Sequence, residues 1–259
     1  MHKKQITTVC SFKGGTAKTS VSLHLGYSLA KFHEKKVLLV DLDGQANLST
    51  ALGFGPDREK TIGDVLAENM HVEDAILETA LPNLHLIPSN AYLDGIERTA
   101  PLVSDPYAHE RLRHILSLLD YDYIFIDIPP SLGWLTQSAF FASSHTLICA
   151  IPEAFSILGL RRLKEFHESV NRYHSVELLG IVLSFWDERG AVNFDFLQAI
   201  EDYFPGKIFD AKIRRDVLVS RSVLRGLPVF EVNEKSRAAQ DYQNLTAEFL
   251  QKNTASISV

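Results

Sequence analysis

The feature that most restricts the fold is a short glycine-containing segment between two apolar stretches. Residues 6–10 form an apolar run typical of a buried strand, and residues 20–32 have the spacing of an amphipathic helix. Between them stand Lys13, Gly14, Gly15, Thr16, Ala17, Lys18, Thr19 and Ser20. A strand, a glycine turn and a helix in succession predict a loop whose backbone amides point inward, beside the positive end of the helix dipole. Such a loop is suited to bind phosphate groups.

The side chains of this loop supply what ATP and Mg²⁺ need. Lys18 is predicted to lie against the β- and γ-phosphates, and Thr19 to offer its hydroxyl to Mg²⁺. Ser20 is placed to reach a phosphate nearer the ribose. The ordinary P-loop pattern is not met, because Phe12 and Ala17 occupy its two glycine positions. A left-handed backbone at Ala17 would cost roughly 1–2 kcal/mol, which predicts weaker nucleotide binding and slower turnover.

Apolar runs alternate with helix-period segments along the chain. Further strands are predicted at residues 36–41, 84–87, 123–127, 146–151 and 178–184, and a helix at residues 106–119. Runs that are apolar at every position are typical of parallel strands covered on both faces. The pattern predicts a single α/β domain over residues 1–259, with a doubly wound, mostly parallel sheet flanked by helices, as in P-loop NTPases. The polar tail from about residue 251 to residue 259 is expected to be frayed.

Composition favours a cytoplasmic protein. Hydrophobic residues make up 46% and charged residues 22% of the chain, as in ordinary globular domains. No apolar run reaches the roughly 18 residues of a membrane span. The net charge of -6 argues against coating nucleic acid over the whole surface, but it leaves room for a local basic patch. Cys10 and Cys149 lie in strand-like runs, so both are expected to be buried and reduced.

Three aspartates stand where predicted strands end, namely Asp41, Asp43 and Asp127. Each of them alone would more often cap a helix or close a turn. Ligands of open α/β sheets bind at the carboxyl ends of the strands. Three aspartates at these ends, beside a phosphate loop, therefore indicate carboxylates that hold a metal ion and orient a water molecule.

The phosphate loop resembles the deviant P-loop pattern Lys-Gly-Gly-x-Gly-Lys-[Thr/Ser], with Lys13 as its extra first lysine and Ala17 at a glycine position. Residues 41–47 resemble the pattern Asp-x-Asp-Pro-Gln-Gly-Asn, with Gly44 and Ala46 in place of its proline and second glycine. Asp127 opens a segment similar to the pattern Asp-x-x-Pro-x-Leu-Gly. Together these motifs resemble those of the ParA/Soj partition ATPases, in the deviant Walker A group that includes MinD.

Later segments extend this resemblance over nearly the whole chain. They are residues 86–90 followed by Glu97, residues 180–187 and residues 213–228. Because the chain begins at the strand before the loop, the short form without an N-terminal helix-turn-helix is expected. The family's adenine-contacting pattern Ile-Pro-Arg-Asn reads Ile-Arg-Arg-Asp at residues 213–216, so no base-contacting residue is predicted.

The resemblance implies a homodimer that clasps two ATP molecules with Mg²⁺. Lys13 would reach the partner's phosphates, and Asp43 would polarise the attacking water. Asp127 would hold the Mg²⁺ shell with Thr19, while Asp41 would support the metal site or the loop. The implied catalytic residues are Lys13, Lys18 and Asp43, in a slow ATPase that a ParB-like centromere-binding partner stimulates. The ATP-bound dimer would bind DNA without sequence preference, on the nucleoid, and hydrolysis would drive chromosome or plasmid partition.

A basic stretch at residues 211–225 is the predicted DNA surface. Arg221 and Arg225 are four residues apart, so on a helix they would share a face. The stretch carries five cations against one acid, Asp216, in a chain of net charge -6. The cations are Lys212, Arg214, Arg215, Arg221 and Arg225. A solvated basic face, or arginines that serve the nucleotide or the partner protein, would give the same pattern.

Three other functions remain open on the sequence. A MinD-like positioning ATPase would attach to a membrane through a C-terminal basic amphipathic helix, which this C-terminus does not resemble, so no membrane contact is expected. A metabolic ATP-dependent synthetase of related fold would need a substrate pocket of its own and would not bind DNA with ATP. Ala17 keeps open a scaffold that binds nucleotide without hydrolysing it. Iron proteins with loop cysteines are excluded, because Cys10 and Cys149 lie in strands.

Overall fold

The computed structural model describes residues 4–11, 13–96, 107–190 and 193–256, except the side chains of residues 154–157 and 254–256. Its strands are β1 (Gln5–Cys10), β2 (Val37–Asp41), β3 (Leu77–Glu78), β4 (Leu84–Ile87), β5 (Tyr123–Asp127), β6 (His145–Ala150), β7 (Glu177–Trp186) and β8 (Ile213–Arg214). They form one sheet in the order β3-β4-β2-β5-β1-β6-β7-β8. All neighbours are parallel except β3 and β4, which are antiparallel. The predicted mostly parallel sheet is therefore confirmed.

Helices flank this sheet on both faces. In the described part of the chain they are α1 (Lys18–His33), α2 (Asn47–Ala51), α3 (Ile62–Leu66), α4 (Leu93–Ile96), α5 (Arg111–Leu118), α6 (Trp134–Ala142), α7 (Ala154–Asn171), α8 (Asn193–Tyr203), α9 (Val217–Val223), α10 (Val229–Asn233) and α11 (Arg237–Ser256). One face of the sheet packs against α3–α8, and the other packs against α1, α2 and α9–α11.

The central strands are buried at nearly every position because both of their faces are covered. Every residue of β1 and β2 is buried. Along β2, Leu38 and Val40 pack into the cluster with α3–α8, whereas Val37 and Leu39 pack into the cluster with α1. This two-sided burial is the reason that the strands read as continuous apolar runs instead of alternating ones.

The strand order brings the predicted site together at one edge. β5 lies between β2 and β1, and Asp127 at its end is in register with Asp41 of β2 and with Val9 of β1. The loop that follows β1 therefore leaves the sheet beside both aspartates. This is the edge at which open α/β sheets bind their ligands.

His24 ties the helix after the phosphate loop to the C-terminal helices. Its Nδ1 lies 2.7 Å from the carbonyl oxygen of Ser20, and its Nε2 accepts a hydrogen bond from the Val229 amide at 3.0 Å. The ring stacks on Tyr242 with the centroids 4.2 Å apart. Burial lowers the pKa of His24 to about 4, so the ring is neutral at pH 7. Helix α1 is thus fixed to both α10 and α11.

The structure departs from the sequence prediction at several element ends. Helix α11 continues through residues 251–256, where Asn253 is buried and accepts a hydrogen bond from the Gln5 side chain at 2.9 Å. The helix expected at residues 106–119 is confirmed only as α5, after a 3-10 turn at Ala108–Glu110. Strands β3 and β8, two residues each, are absent from the prediction. Phe12, Glu97, residue 106 and residues 257–259 lie outside the described residues.

Candidate nucleotide site and basic surface

The loop between β1 and α1 contains two residues with a left-handed backbone. Gly15 has a φ of 75°, and Ala17 has a φ of 65° with a ψ of 24°, so both are left-handed. The Ser11 hydroxyl donates to the carbonyl oxygen of Lys13 at 2.8 Å, and Thr16 is buried. Helix α1 starts directly after this turn, so its unpaired amides and positive dipole end face the loop. The arrangement is a cradle for phosphate oxygens.

Ala17 adopts the left-handed conformation that the sequence predicts to be costly. It is the residue before the first turn of α1, and its side chain makes no capping hydrogen bond. An L-residue with a β-carbon is strained there, whereas glycine is not. A second alanine, Ala46, is also left-handed, with a φ of 51°, in the loop after β2.

We expect Ala17→Gly to raise the free energy of unfolding by about 1 kcal/mol, because the relief of strain exceeds the added entropy of the unfolded chain. Urea denaturation measures this change. Ala30→Gly is the matched control, since Ala30 lies inside α1, where glycine lowers stability by about 1 kcal/mol. A loss of stability in Ala17→Gly would contradict the strain that we assign to this residue.

Lys18 and Thr19 lie in a cavity of about 390 Å³ at the carboxyl edge of the sheet. Residues 14–20 line this cavity, together with Asp43, Gln45 and Pro130. Lys18 is 7% exposed, and its charge opposes the effect of burial on the Asp127 carboxyl. The cavity thus brings the predicted phosphate lysine and the predicted water-orienting aspartate together.

Thr19 and Asp127 are in direct contact. The Thr19 hydroxyl donates to Asp127 Oδ2 at 2.7 Å, and the Ser22 hydroxyl donates to Oδ1 at 3.2 Å. Burial raises the pKa of Asp127 to about 6, so a cation at this carboxylate would relieve the burial of its negative charge. A hydroxyl and a carboxylate are hard oxygen ligands of the kind that Mg²⁺ takes, with phosphates and water completing its shell. These residues fit Mg²⁺, and no group of three or more His, Cys, Asp or Glu suited to a metal occurs among the described residues.

Asp41 is buried and holds the loop that follows β2. Its Oδ2 accepts hydrogen bonds from the Ser49 amide at 2.9 Å and from the Ser49 hydroxyl at 2.7 Å, and Oδ1 accepts from the Asp43 amide at 3.3 Å. Burial, followed by the negative charge of Asp127, raises the pKa of Asp41 to about 7. Both carboxylate oxygens are therefore engaged inside the chain. This geometry favours a supporting role for Asp41 over direct binding of the metal.

Asp43 sits at the start of a tight turn. Its Oδ1 accepts from the Gln45 amide at 3.0 Å, and its carbonyl oxygen accepts from the Ala46 amide at 2.9 Å. The backbone of Gly44 passes so close to Asp94 that an added β-carbon would lie 2.1 Å from the Asp94 Oδ1. The turn thus presents Asp43 to the cavity, with the Gly44 backbone packed against the Asp94 carboxylate.

Lys13 lies outside this cavity. Its ammonium group forms an exposed ion pair with Glu153, the residue before α7. The lining of the phosphate cavity begins at Gly14. The Lys13 side chain is therefore exposed to solvent beside the loop, and it does not line the phosphate cavity of its own chain.

The five cations of the predicted DNA surface form two groups. Three of them contact other side chains of the protein, and two are described below. The Arg214 guanidinium binds Asp241, whose side chain is 4% exposed, with Nε 3.1 Å from Oδ2. Because Asp241 is buried, this pair holds β8 to α11, and the structure gives Arg214 a structural role. Lys212 and Arg215 lie over the rings of Trp186 and Phe185, each 5.3 Å from the centroid.

Arg221 and Arg225 are both exposed, but only Arg221 lies on helix α9. Helix α9 ends at Val223, and Arg225 lies in the turn that Gly226 closes with a φ of 64°. Arg221 thus lies on α9, and Arg225 lies in the turn that follows it. Neither arginine forms an ion pair with a residue that the structure describes.

Sequence reasoning missed the partners of the predicted residues. Ser49, Glu153 and Asp241 are ordinary polar residues in the sequence, and no motif marks them. Ser184 is different, since it is a polar residue near the end of the apolar strand β7, at the same sheet edge as the phosphate loop. Among the helices of the described ranges, none is both long and apolar enough to cross a membrane.

Comparisons with known proteins agree along most of the chain. A family model described as an AAA domain matches residues 4–179. The chain is 46% identical over 244 residues to a ParA family protein of Chlamydia trachomatis, covering 93% of this chain and 96% of the relative. It is 34% identical over 250 residues to the sporulation initiation inhibitor protein Soj of Bacillus subtilis, covering 94% of this chain and 97% of Soj.

Two solved structures with bound nucleotide share the fold. One is cobyrinic acid a,c-diamide synthase from Mycobacterium smegmatis with an ATP analogue and magnesium, at 26% identity and a TM-score of 0.84, covering 98% of this chain and 97% of that one. The other is the septum site-determining protein MinD from Pyrococcus horikoshii with Mg-ADP, at 27% identity and a TM-score of 0.79, covering 95% and 96%. The fold therefore binds nucleotide with magnesium in proteins of different function.

Proposed function

The chain belongs to the ParA family of partition ATPases, and from this premise we propose that it is an ATP-dependent dimerising switch that binds DNA without sequence preference. ATP and Mg²⁺ assemble two copies, the dimer binds DNA, and hydrolysis releases it. The protein would then be cytoplasmic and associated with the nucleoid while ATP is bound. Chromosome or plasmid partition is the process that such a cycle serves.

The observation that carries this proposal is that Lys18, Thr19 and Asp43 line the cavity of about 390 Å³, while Thr19 donates to the buried Asp127 carboxylate at 2.7 Å. Lys18 supplies charge to the β- and γ-phosphates, and Thr19 with Asp127 would hold Mg²⁺. Asp43 is the residue that can accept a proton from, or orient, an attacking water. When Mg²⁺ is bound, it neutralises charge on the phosphate oxygens.

The position of Lys13 supports a role between two subunits. An exposed lysine beside the loop, outside its own phosphate cavity, is free to reach the phosphates of a second copy. A cation supplied from a partner stabilises charge that develops during phosphoryl transfer. Its ion pair with Glu153 is exposed, and such pairs contribute at most about 1 kcal/mol, so exchange to a phosphate is feasible.

We expect Lys13→Ala to bind ATP but to remain monomeric, because its target lies on the other subunit. Gel filtration with ADP and with ATP measures this, with nucleotide binding assayed in parallel. Glu153→Gln is the matched control, since it removes the same ion pair and leaves Lys13 in place, and it should still dimerise. An ATP-dependent dimer of Lys13→Ala would remove the basis for the role between subunits.

Exposed cations near the nucleotide site support the DNA-binding part of the proposal. Arg215, Arg221 and Arg225 are exposed, and Val223 of the same segment lines the phosphate cavity. One small patch binds phosphates weakly, so a dimer that presents two patches together gains effective concentration. Slow turnover that a ParB-like centromere-binding protein accelerates would set the time on DNA, and the strained Ala17 is consistent with slow turnover.

We expect the double variant Arg221→Ala, Arg225→Ala to bind ATP and dimerise normally but to bind all DNA sequences more weakly. The slope of log affinity against log salt should flatten by about one per lost phosphate contact. DNA shift assays with ATP, over a salt series, measure both effects. The control variant Arg113→Ala, Arg172→Ala removes the same charge from exposed positions elsewhere and should bind DNA like the parent.

Equal DNA binding by the two double variants would place the DNA surface elsewhere on the molecule. A parent protein that binds ATP but no DNA would instead favour a metabolic ATP-dependent synthetase of related fold; one solved structure with this fold is a diamide synthase with a bound ATP analogue. Membrane recruitment with ATP, in vesicle sedimentation, would favour a MinD-like positioning ATPase.

A further inference from the structure

Two hydroxyl groups of helix α1 hold the carboxylate at the end of β5. Thr19 and Ser22 are three residues apart, so they lie on the same face of the helix. Thr19 donates to Asp127 Oδ2 at 2.7 Å, and Ser22 donates to Oδ1 at 3.2 Å. Each carboxylate oxygen therefore has its own donor. The carboxylate cannot rotate about its bond to the β-carbon without breaking one of these two hydrogen bonds.

Ser22 and Thr19 differ in their access to the phosphate cavity. Thr19 lines this cavity, whereas Ser22 is 0% exposed and does not line it. The Ser22 hydroxyl is thus covered by the protein on all sides. It acts on a ligand of the cavity only through the Asp127 carboxylate.

The Ser22 hydroxyl has a second acceptor within reach. A serine inside a helix often donates to the carbonyl group four residues earlier, and Ser22 Oγ lies 3.1 Å from the Lys18 carbonyl oxygen. In an α-helix that oxygen already accepts from the Ser22 amide. In the described part of the chain, Asp127 Oδ1 accepts from no group other than Ser22. Hydrogen bonds to an ionised acceptor are about twice as strong as neutral ones, so the hydroxyl hydrogen favours Asp127.

The surroundings of Asp127 explain why a second donor matters. Its side chain is buried at the end of β5, in register with Asp41 of β2, which is buried as well. A buried charge is costly unless it is paired and hydrogen-bonded. Groups that hydrogen-bond a metal ligand fix its orientation, and their loss lowers metal affinity by about 10- to 100-fold.

We propose that Ser22 is a positioning residue for the magnesium site, which holds Asp127 in the orientation that Mg²⁺ requires when it binds with a nucleotide. This inference rests on the proposed function, because it assumes that Thr19 and Asp127 hold the Mg²⁺ of a nucleotide in the phosphate cavity. It adds a residue that no motif of the sequence marks and that contacts neither the nucleotide nor the metal.

The test measures how much Mg²⁺ strengthens nucleotide binding. Calorimetric titration with AMP-PNP, an ATP analogue that is not hydrolysed, gives one affinity with excess Mg²⁺ and one with EDTA. The ratio of these affinities reports the contribution of the metal and cancels effects on the loop itself. Ser22→Ala should lower this ratio by about tenfold, at the lower end of the expected range because Thr19 still holds Oδ2. Its affinity in EDTA should equal that of the parent.

Two further variants serve as controls. Ser28→Ala removes another buried hydroxyl from α1, one that has no hydrogen-bond partner in the described structure and does not line the phosphate cavity. It should keep the parental ratio. Ser22→Thr retains a hydroxyl group at residue 22 and should also keep the parental ratio.

Each other outcome overturns a separate claim. A parental ratio in Ser22→Ala, or an equal loss of affinity with Mg²⁺ and with EDTA, overturns the positioning role. So does a ratio in Ser28→Ala or Ser22→Thr that is as low as in Ser22→Ala. A parent protein that binds AMP-PNP equally in both conditions overturns the magnesium site, and the role of Ser22 with it. A parent that binds no AMP-PNP in either condition overturns the proposed function.

Discussion

Replacing Asp43 with alanine should yield a protein that binds ATP, dimerises and then stalls, with hydrolysis slowed by about a hundredfold or more. A positioned general base contributes about 10²–10⁴ in rate. Asp43 lines the phosphate cavity, but its carboxylate makes no ion pair in the described structure, so its loss should affect the water more than the nucleotide. Single-turnover hydrolysis of bound ATP measures the chemical step alone.

Asp43→Asn separates this role from the shape of the loop. The asparagine oxygen can still accept the hydrogen bond from the Gln45 amide that Asp43 accepts at 3.0 Å. The charge that activates water is absent, so the asparagine variant should be as slow as the alanine variant. Parental hydrolysis by Asp43→Asn would leave Asp43 as a turn residue only.

Replacing Lys18 with alanine should weaken ATP binding at least tenfold. Lys18 is nearly buried at the start of α1, so its contact with a phosphate would be a charge-assisted hydrogen bond in a desolvated place. Such contacts contribute about 1.5–3 kcal/mol. Equilibrium binding of ATP with Mg²⁺ measures this loss directly.

Lys31→Ala is the control variant, because it also removes one positive charge from α1 and also replaces a lysine of this helix with alanine. Lys31 lies on the same helix but pairs with Glu231 at 2.9 Å, away from the phosphate cavity. This variant should bind ATP like the parent. If Lys18→Ala and Lys31→Ala bound ATP equally well, the phosphate loop would have been assigned to the wrong segment.

The sheet could be predicted from the sequence because its central strands are buried along nearly their whole length. β1, β2 and β5 are covered on both faces, and the apolar runs of β2 and β5 before their terminal aspartates are typical of such strands. β3 and β8 have only two residues each, too few for any periodicity. Their places are set by neighbouring strands, which the local sequence does not reveal.

The positions of the site residues follow from motif and topology, but their partners do not. Lys18, Thr19 and Asp127 meet because a loop and a strand end at one edge of the sheet. The pairing of Arg214 with Asp241 depends on how α11 crosses β8, which is a tertiary fact. Arg225 lies beyond the end of α9, because the helix stops at Val223 and Gly226 forms a left-handed turn after it. The spacing of four residues from Arg221 does not reveal this helix end.

The contact between Gln5 and Asn253 joins side chains 248 positions apart, and it has a consequence for how the chain is made. β1 is synthesised before β5 and β6, yet in the sheet it is held between these two later strands. Local helices can form early, but the entropy of closing such long loops delays the pairing of β1. The nascent chain must keep β1, with its apolar Ile6, Val9 and Cys10, unpaired until β5 has been made. Its need for protection from aggregation is therefore greatest before the sheet has a centre.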